Sequence, residues 1–161
     1  VTSSQDAAAP RPGRPAVIGY APGVYDLFHV GHLNLLRRAR LACDHLIAGV
    51  LADATALEQK GKLPVVSETE RAAIVRACRY VDDVHVETTT DKLVTWEQVR
   101  FDVIFKGNDW AGKPAGDALV AKLAPHGVDV VFLPYTSHLS STLLRDAEGV
   151  DEGRPTRSRR A

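Results

Sequence analysis

Two histidines three residues apart, His29 and His32, sit in the run Gly23-Val24-Tyr25-Asp26-Leu27-Phe28-His29-Val30-Gly31-His32, where a strand-forming segment gives way to a helical pattern. Before it, residues 16–21 form a short apolar run rich in strand formers, closed by the turn signal Pro22-Gly23. After it, Leu33, Leu36 and Leu41 alternate with Arg37, Arg38 and Arg40, so an amphipathic helix is expected to begin near Gly31-His32. Its N-terminus would then lie at the second histidine. Unpaired backbone N–H groups and the positive end of the helix dipole attract an anion there, and both imidazoles can donate to the same phosphate oxygens. Glycine at position 31 lets the backbone approach such a ligand closely. Two histidines packed at a core edge are the plainer alternative. Strand, turn, paired histidines and helix in register favour a phosphate site.

Three further segments carry polar side chains at the ends of apolar runs. Lys60-Gly61-Lys62 follows the second such run and its Asp53, and Arg71 and Arg79 lie eight apart on what reads as one helix. That spacing is little over two turns, so both guanidinium groups are expected on nearly the same side. A solvated helix face is the ordinary alternative. The segment Lys106-Gly107-Asn108-Asp109-Trp110 follows the run 103–105; an Asx-type turn accounts for Asn108 but not for Trp110. After Leu133, the hydroxyl residues Ser140, Ser141 and Thr142 introduce another helix. They offer N-cap oxygens and, with free N–H groups, a second anion site.

The elements that must hold these residues are apolar strand-like runs at 16–20, 45–51, 84–86, 103–105 and 128–133, alternating with helical patterns. Such alternation predicts a parallel sheet with helices on both faces. Ligands of open α/β sheets bind beyond the C-terminal strand ends, where strand order reverses. The 161 residues, 45% apolar and 25% charged, suit one soluble domain with a real core. Twenty basic residues balance twenty acidic ones, which gives no hint of broad nucleic-acid binding. Nothing approaches a membrane span or the apolar core of a signal peptide, so the cytoplasm is the default location. Cys43 and Cys78 lack a Cys-x-x-Cys spacing and read as buried free thiols. Residues 1–15 and the basic stretch 148–161 read as disordered tails around a domain at 16–147. No P-loop, Gly-x-Gly-x-x-Gly after the first strand, Gly-x-Ser-x-Gly or His-Glu-x-x-His is present.

The run from Gly23 to His32 resembles the His-x-Gly-His signature of the cytidylyltransferase-like nucleotidyltransferases, and its wording is most similar to glycerol-3-phosphate, cholinephosphate and ethanolamine-phosphate cytidylyltransferases. Gly107-Asn108-Asp109-Trp110 is similar to their Gly-Asp-Asp-Trp, with Asn108 in place of an acid, and Arg79-Tyr80-Val81-Asp82-Asp83-Val84 is close to their Arg-Tyr-Val-Asp-Glu-Val. Thr136, Ser140 and Ser141 match their Arg-Thr-Glu-Gly-Ile-Ser-Thr, whereas Tyr135 stands where that pattern has an arginine. Leu-Ser-Ser-Thr-Leu-Leu-Arg, ending at Arg145, is also similar to a phosphate-binding element of nicotinamide-mononucleotide adenylyltransferases, so Arg145 can supply the missing charge.

The resemblance implies a Rossmann-like doubly wound sheet of five parallel strands in the order 3-2-1-4-5. It implies a nucleotide site of Val24, Tyr25, His29, His32, Asp109, Thr136, Ser140, Ser141 and Arg145, and an acceptor site of Asp26, Asp53, Lys60, Lys62, Arg71 and Arg79. His29, His32, Lys60 and Lys62 are the implied catalytic residues. The implied reaction is transfer of CMP from CTP to a small phosphorylated alcohol, foremost glycerol 3-phosphate, giving CDP-glycerol and pyrophosphate. Mg²⁺ held mainly by the phosphates rather than by protein ligands would assist, and the protein would be a homodimer without nucleic-acid or membrane partners. The alternatives are CTP-dependent transfer to another polyol or amino-alcohol phosphate, and an adenylyltransferase acting on a sugar phosphate or cofactor precursor. Lys106-Gly107-Asn108-Asp109 is similar to the Lys-Gly-Gly-Asp of heptose-phosphate adenylyltransferases.

Overall fold

A computed structural model describes residues 16–134 of the chain. The expected tails, the end of the expected domain, and Tyr135, Thr136, Ser140, Ser141 and Arg145 lie outside the described residues. The elements run β1 (Ile18–Gly23), α1 (Val30–Leu41), β2 (His45–Leu51), α2 (Asp53–Lys60), α3 (Glu68–Arg76), β3 (Asp83–Glu87), α4 (Lys92–Val99), β4 (Val103–Gly107), α5 (Pro114–Leu123) and β5 (Asp129–Leu133). All pairings are parallel, and the sheet order is β3-β2-β1-β4-β5, as the resemblance implied.

Side-chain alternation along the strands builds two cores, one on each face of the sheet. Ala21, Leu46, Ala48, Val50 and Phe105 join Leu36 and Ala39 of α1 and Ala72 and Val75 of α3 in one. Tyr20 and Ile104 join Phe101, Leu119 and Leu123 on the other face, beside α4 and α5. Tyr20 stacks on Phe101 with ring centroids 4.8 Å apart. It also lies so close to β2 that a Cβ on Gly49 would sit 2.1 Å from its hydroxyl, so only glycine fits there.

Strand β1 runs farther than the apolar run suggested. Pro22 and Gly23, read as a turn, pair with Gly49 and Val50 of β2. On its other side β1 pairs with β4 only at Gly19 and Tyr20, so no ladder on that flank requires an N–H from Pro22. The longer strand carries the histidine loop out past the C-terminal edge of the sheet, at the reversal between β1 and β4.

Candidate active site

The two histidines form the start of α1 itself. His29, in extended conformation (φ −136°, ψ 176°), is the N-cap, and its Nδ1 accepts the N–H of Gly31 at 3.0 Å. The N–H of His29 in turn donates to Nδ1 of His32 at 3.3 Å, closing a reciprocal capping box. The helix therefore starts one histidine earlier than its apolar period indicated, because an imidazole nitrogen does here what a Ser or Asp oxygen does at an ordinary cap. With each Nδ1 accepting, each neutral ring carries its proton on Nε2, and that N–H remains to donate. Burial lowers the pKa of both rings. For His32 the positive neighbours His29 and Lys60 add to burial, against an opposing pull from Asp26, and its value falls to about 4. Near neutral pH both are uncharged hydrogen-bond donors.

The loop before them is held by aromatic packing. Tyr25 is buried with φ at 57°, its hydroxyl donates to the Ala21 carbonyl at 2.8 Å, and its ring lies 5.3 Å from that of His32. Phe28 supports His32 from 5.5 Å. A Cβ on Gly23 would meet the Tyr25 ring at 3.1 Å, so the loop closes over a glycine. Left-handed backbone at Tyr25 and again at Leu27 (φ 48°) is costly for residues other than glycine, and such conformations concentrate at sites whose geometry is over-determined.

Asp26 is buried, and its two oxygens accept the N–H groups of Val65 and Val66, each at 3.0 Å. It thereby ties the segment after α2, with Lys60 and Lys62 at its start, to the histidine loop. Lys60 is the last residue of α2 and lines the cavity described below; Lys62 is exposed and is not among the lining residues.

The expected arginine pair separates. Helix α3 ends at Arg76, because Ala77 caps it and the chain turns, so Arg79 lies beyond the helix, exposed, against the ring of Tyr80. Arg71 is fully buried: Nε donates to the Val66 carbonyl, one terminal nitrogen to the Val24 carbonyl, and the other to Asp53. Asp53 also accepts the N–H of Glu68, whose carboxylate accepts the N–H of Asp53. Neither Arg71 nor Asp53 lines the cavity. They brace β1, α2 and α3 underneath it.

A cavity of about 590 Å³ opens over the sheet edge between the histidine loop and α5. Val24, His32, Lys60 and Asp109 reach it from the expected set. The charged side chains of Glu87, Asp91, Lys92, Lys106 and Lys122 also line it. Glu87, buried at the end of β3, accepts from Tyr20 at 3.2 Å and Thr95 at 3.1 Å and pairs with Lys92 at 2.8 Å. Lys106, at the end of β4, lies with Nζ 4.1 Å from the centre of the Trp110 ring. Burial first and then the charge of Lys92 lower its pKa to about 8. The legible signal was a lysine ending the apolar run Val103-Ile104-Phe105, at the strand end where such folds bind ligands. Among the described residues, no helix is long and apolar enough to cross a membrane.

Known proteins resemble this chain in sequence and in fold. A family model described as Cytidylyltransferase-like matches residues 20–147. The chain is 41% identical over 91 residues to an ethanolamine-phosphate cytidylyltransferase of Arabidopsis thaliana, covering 53% of this chain and 22% of that protein. It is 32% identical over 136 residues to the bifunctional protein HldE of a Bradyrhizobium strain, covering 84% and 27%, and 40% identical over 134 residues to HldE of Streptomyces coelicolor, covering 80% and 28%. The chain thus spans about a quarter of the length of these curated relatives. A lipopolysaccharide core biosynthesis protein from Thermoplasma volcanium has a crystal structure that matches with a TM-score of 0.64 at 27% identity, covering 77% of this chain and 99% of that one.

Proposed function

Because this chain belongs to the cytidylyltransferase-like family, we propose that it transfers CMP from CTP to a small phosphorylated alcohol, foremost glycerol 3-phosphate, releasing pyrophosphate. The observation that carries the reading is the reciprocal histidine cap at the start of α1, which uses each Nδ1 as an acceptor and leaves each Nε2 to face a ligand, with His32 lining the cavity. An oxygen of the acceptor phosphate attacks the α-phosphorus in line, a new P–O–P linkage forms, and the bond to the pyrophosphate oxygen breaks. A phosphate oxygen is already nucleophilic at neutral pH, so the protein supplies orientation and charge neutralisation rather than a base.

In this mechanism His29 and His32 donate to the triphosphate, and Lys60, with Lys62 beside it, neutralises charge between acceptor and α-phosphate. Val24 and Asp109 flank the nucleotide. Asp26, Asp53 and Arg71 hold the loops in place from below. Thr136, Ser140, Ser141 and Arg145 are proposed for the β- and γ-phosphates on resemblance alone. Mg²⁺ would arrive with the triphosphate and neutralise its oxygens. The cavity suits that arrangement, since Glu87 and Asp91 are paired with Lys92 and Lys122. We also propose a homodimer, which sedimentation would test; α1 leaves Val30, Leu33 and Leu41 exposed.

The test is pyrophosphate release with Mg²⁺, each nucleoside triphosphate in turn, and a panel of phosphorylated polyols, amino alcohols and sugars. Turnover with CTP and glycerol 3-phosphate is expected; silence with every pair would overturn the reading. A second reading, ATP with a sugar phosphate, is favoured by Lys106 before Gly107, the wording similar to the Lys-Gly-Gly-Asp of heptose-phosphate adenylyltransferases. Equal competition between CTP and ATP separates the two.

A further inference from the structure

The wall of the cavity farthest along the chain from the histidines is built by the end of β3, the start of α4, the end of β4 and α5. An ammonium group of a ligand would seek a carboxylate or an aromatic face there. Glu87, Asp91 and the Trp110 ring each already hold one of the protein's own cations, and the third lining carboxylate, Asp109, acts on Lys106, whose charge it favours. Lys92 covers Glu87 at 2.8 Å, Lys122 covers Asp91 with 2.7 Å to each carboxylate oxygen, and the ammonium of Lys106 lies 4.1 Å from the centre of the Trp110 ring. The lining lysines are Lys60, Lys92, Lys106 and Lys122, against the acids Glu87, Asp91 and Asp109, so four positive charges face three negative ones.

We propose that Lys106, set over Trp110, is a specificity-determining residue that makes this cavity accept hydroxylated or anionic phosphate acceptors and reject amino-alcohol phosphates. The inference rests on the nucleotidyl-transfer reading and deepens it. An incoming ammonium would have to displace Lys106 from the ring or approach it at like charge in a partly enclosed space, where such repulsion is poorly screened. A hydroxyl or anionic oxygen meets the opposite situation, because the ring contact consumes no N–H of the ammonium, and these groups remain to donate. The crowding that opposes the charge of Lys106, from burial and from Lys92, is relieved when negative charge enters. An ethanolamine-phosphate cytidylyltransferase is among the relatives of this chain, so the proposal expects this chain to differ in acceptor from that relative.

The experiment has two arms. Calorimetric titration of glycerol 3-phosphate and of phosphoethanolamine into the full chain reads acceptor preference without turnover. Steady-state kinetics with CTP and Mg²⁺ reads it as kcat/KM. The intact protein is expected to prefer glycerol 3-phosphate in both arms. Lys106→Gln should weaken glycerol 3-phosphate ~10- to 100-fold, mainly through KM, the scale for losing a hydrogen bond to a charged group, while phosphoethanolamine is unchanged or improved. Lys106→Arg should keep the preference. Equal binding of both acceptors by the intact protein would overturn the proposal, and so would equal loss of both in Lys106→Gln; the first needs no variant to fold. If no nucleotide is turned over, the transfer reading fails, and the binding arm still decides whether Lys106 selects the ligand.

Discussion

Arg71 and Asp53, eighteen residues apart in sequence, meet with the guanidinium of one buried on the carboxylate of the other, and their pairing ties α3 to the start of α2. The remaining guanidinium contacts, to the carbonyls of Val24 and Val66, make the same side chain a joint between the histidine loop and the segment after α2. Arg71→Ala should therefore act first on stability. Breaking a buried pair costs ~3–5 kcal/mol, and the partial exposure of Asp53 puts this one at the lower end or below. Urea denaturation of Arg71→Ala, Asp53→Ala and the double variant measures it; strictly additive losses would deny the coupling.

The histidine cap has two separable tasks. His29→Asn keeps an N-cap acceptor and removes the Nε2–H, so its melting temperature should stay close to that of the parent while kcat falls ~10²- to 10³-fold, the scale for one transition-state donor. Near-normal turnover in this variant would remove His29 from the mechanism.

His32 also gives a pH signature. Folded, it takes up a proton only near pH 4, whereas its ordinary value is 6.5. Between those values the unfolded chain binds more protons, so stability contributed by the neutral ring is present above pH 6.5 and declines as pH falls toward 4. His29, lowered by burial, acts with the same sign. The denaturation midpoint of the intact protein should drop more steeply over this window than that of His32→Asn. Parallel profiles would place the titration elsewhere.

Asp26 should control the lysine segment without touching a substrate. Asp26→Ala leaves the partly buried N–H groups of Val65 and Val66 without their acceptor, at about 1 kcal/mol, the low end for a lost acceptor. Limited trypsin digestion under native conditions should then cleave after Lys60 and Lys62 faster than in the parent. Unchanged cleavage would mean that the segment is held by other contacts.

The alternation of strands and helices and the histidine loop were legible in the sequence because both rest on local patterns, apolar runs of strand length and a turn-to-helix change of period; the strand order came from the family resemblance alone. The start of α1 was misplaced by one histidine because apolar periodicity does not report an imidazole acting as a cap. Arg71 and Arg79 were paired by spacing, which assumes an unbroken helix; the turn after Arg76 is not marked by Gly or Pro. The burial of Arg71 follows from the Val24 carbonyl and the Asp53 carboxylate, both supplied by other segments, and no local pattern encodes that. The sequence marked Lys106 and the segment ending at Lys92 but not that they meet Glu87, since the three come together only when β3, α4 and β4 converge.

The ammonium of Lys106 over the indole of Trp110 equips the cavity with its own optical probe. The chain has two tryptophans, and the other, Trp96, lies away from the cavity lining with Arg100 over its ring and its N–H donated to the Phe101 carbonyl. Emission from Trp110 therefore responds to whatever moves Lys106, while Trp96 supplies a steady background. Replacing Trp96 with phenylalanine would leave a single fluorophore whose intensity follows occupancy in real time, without a label and without chemistry.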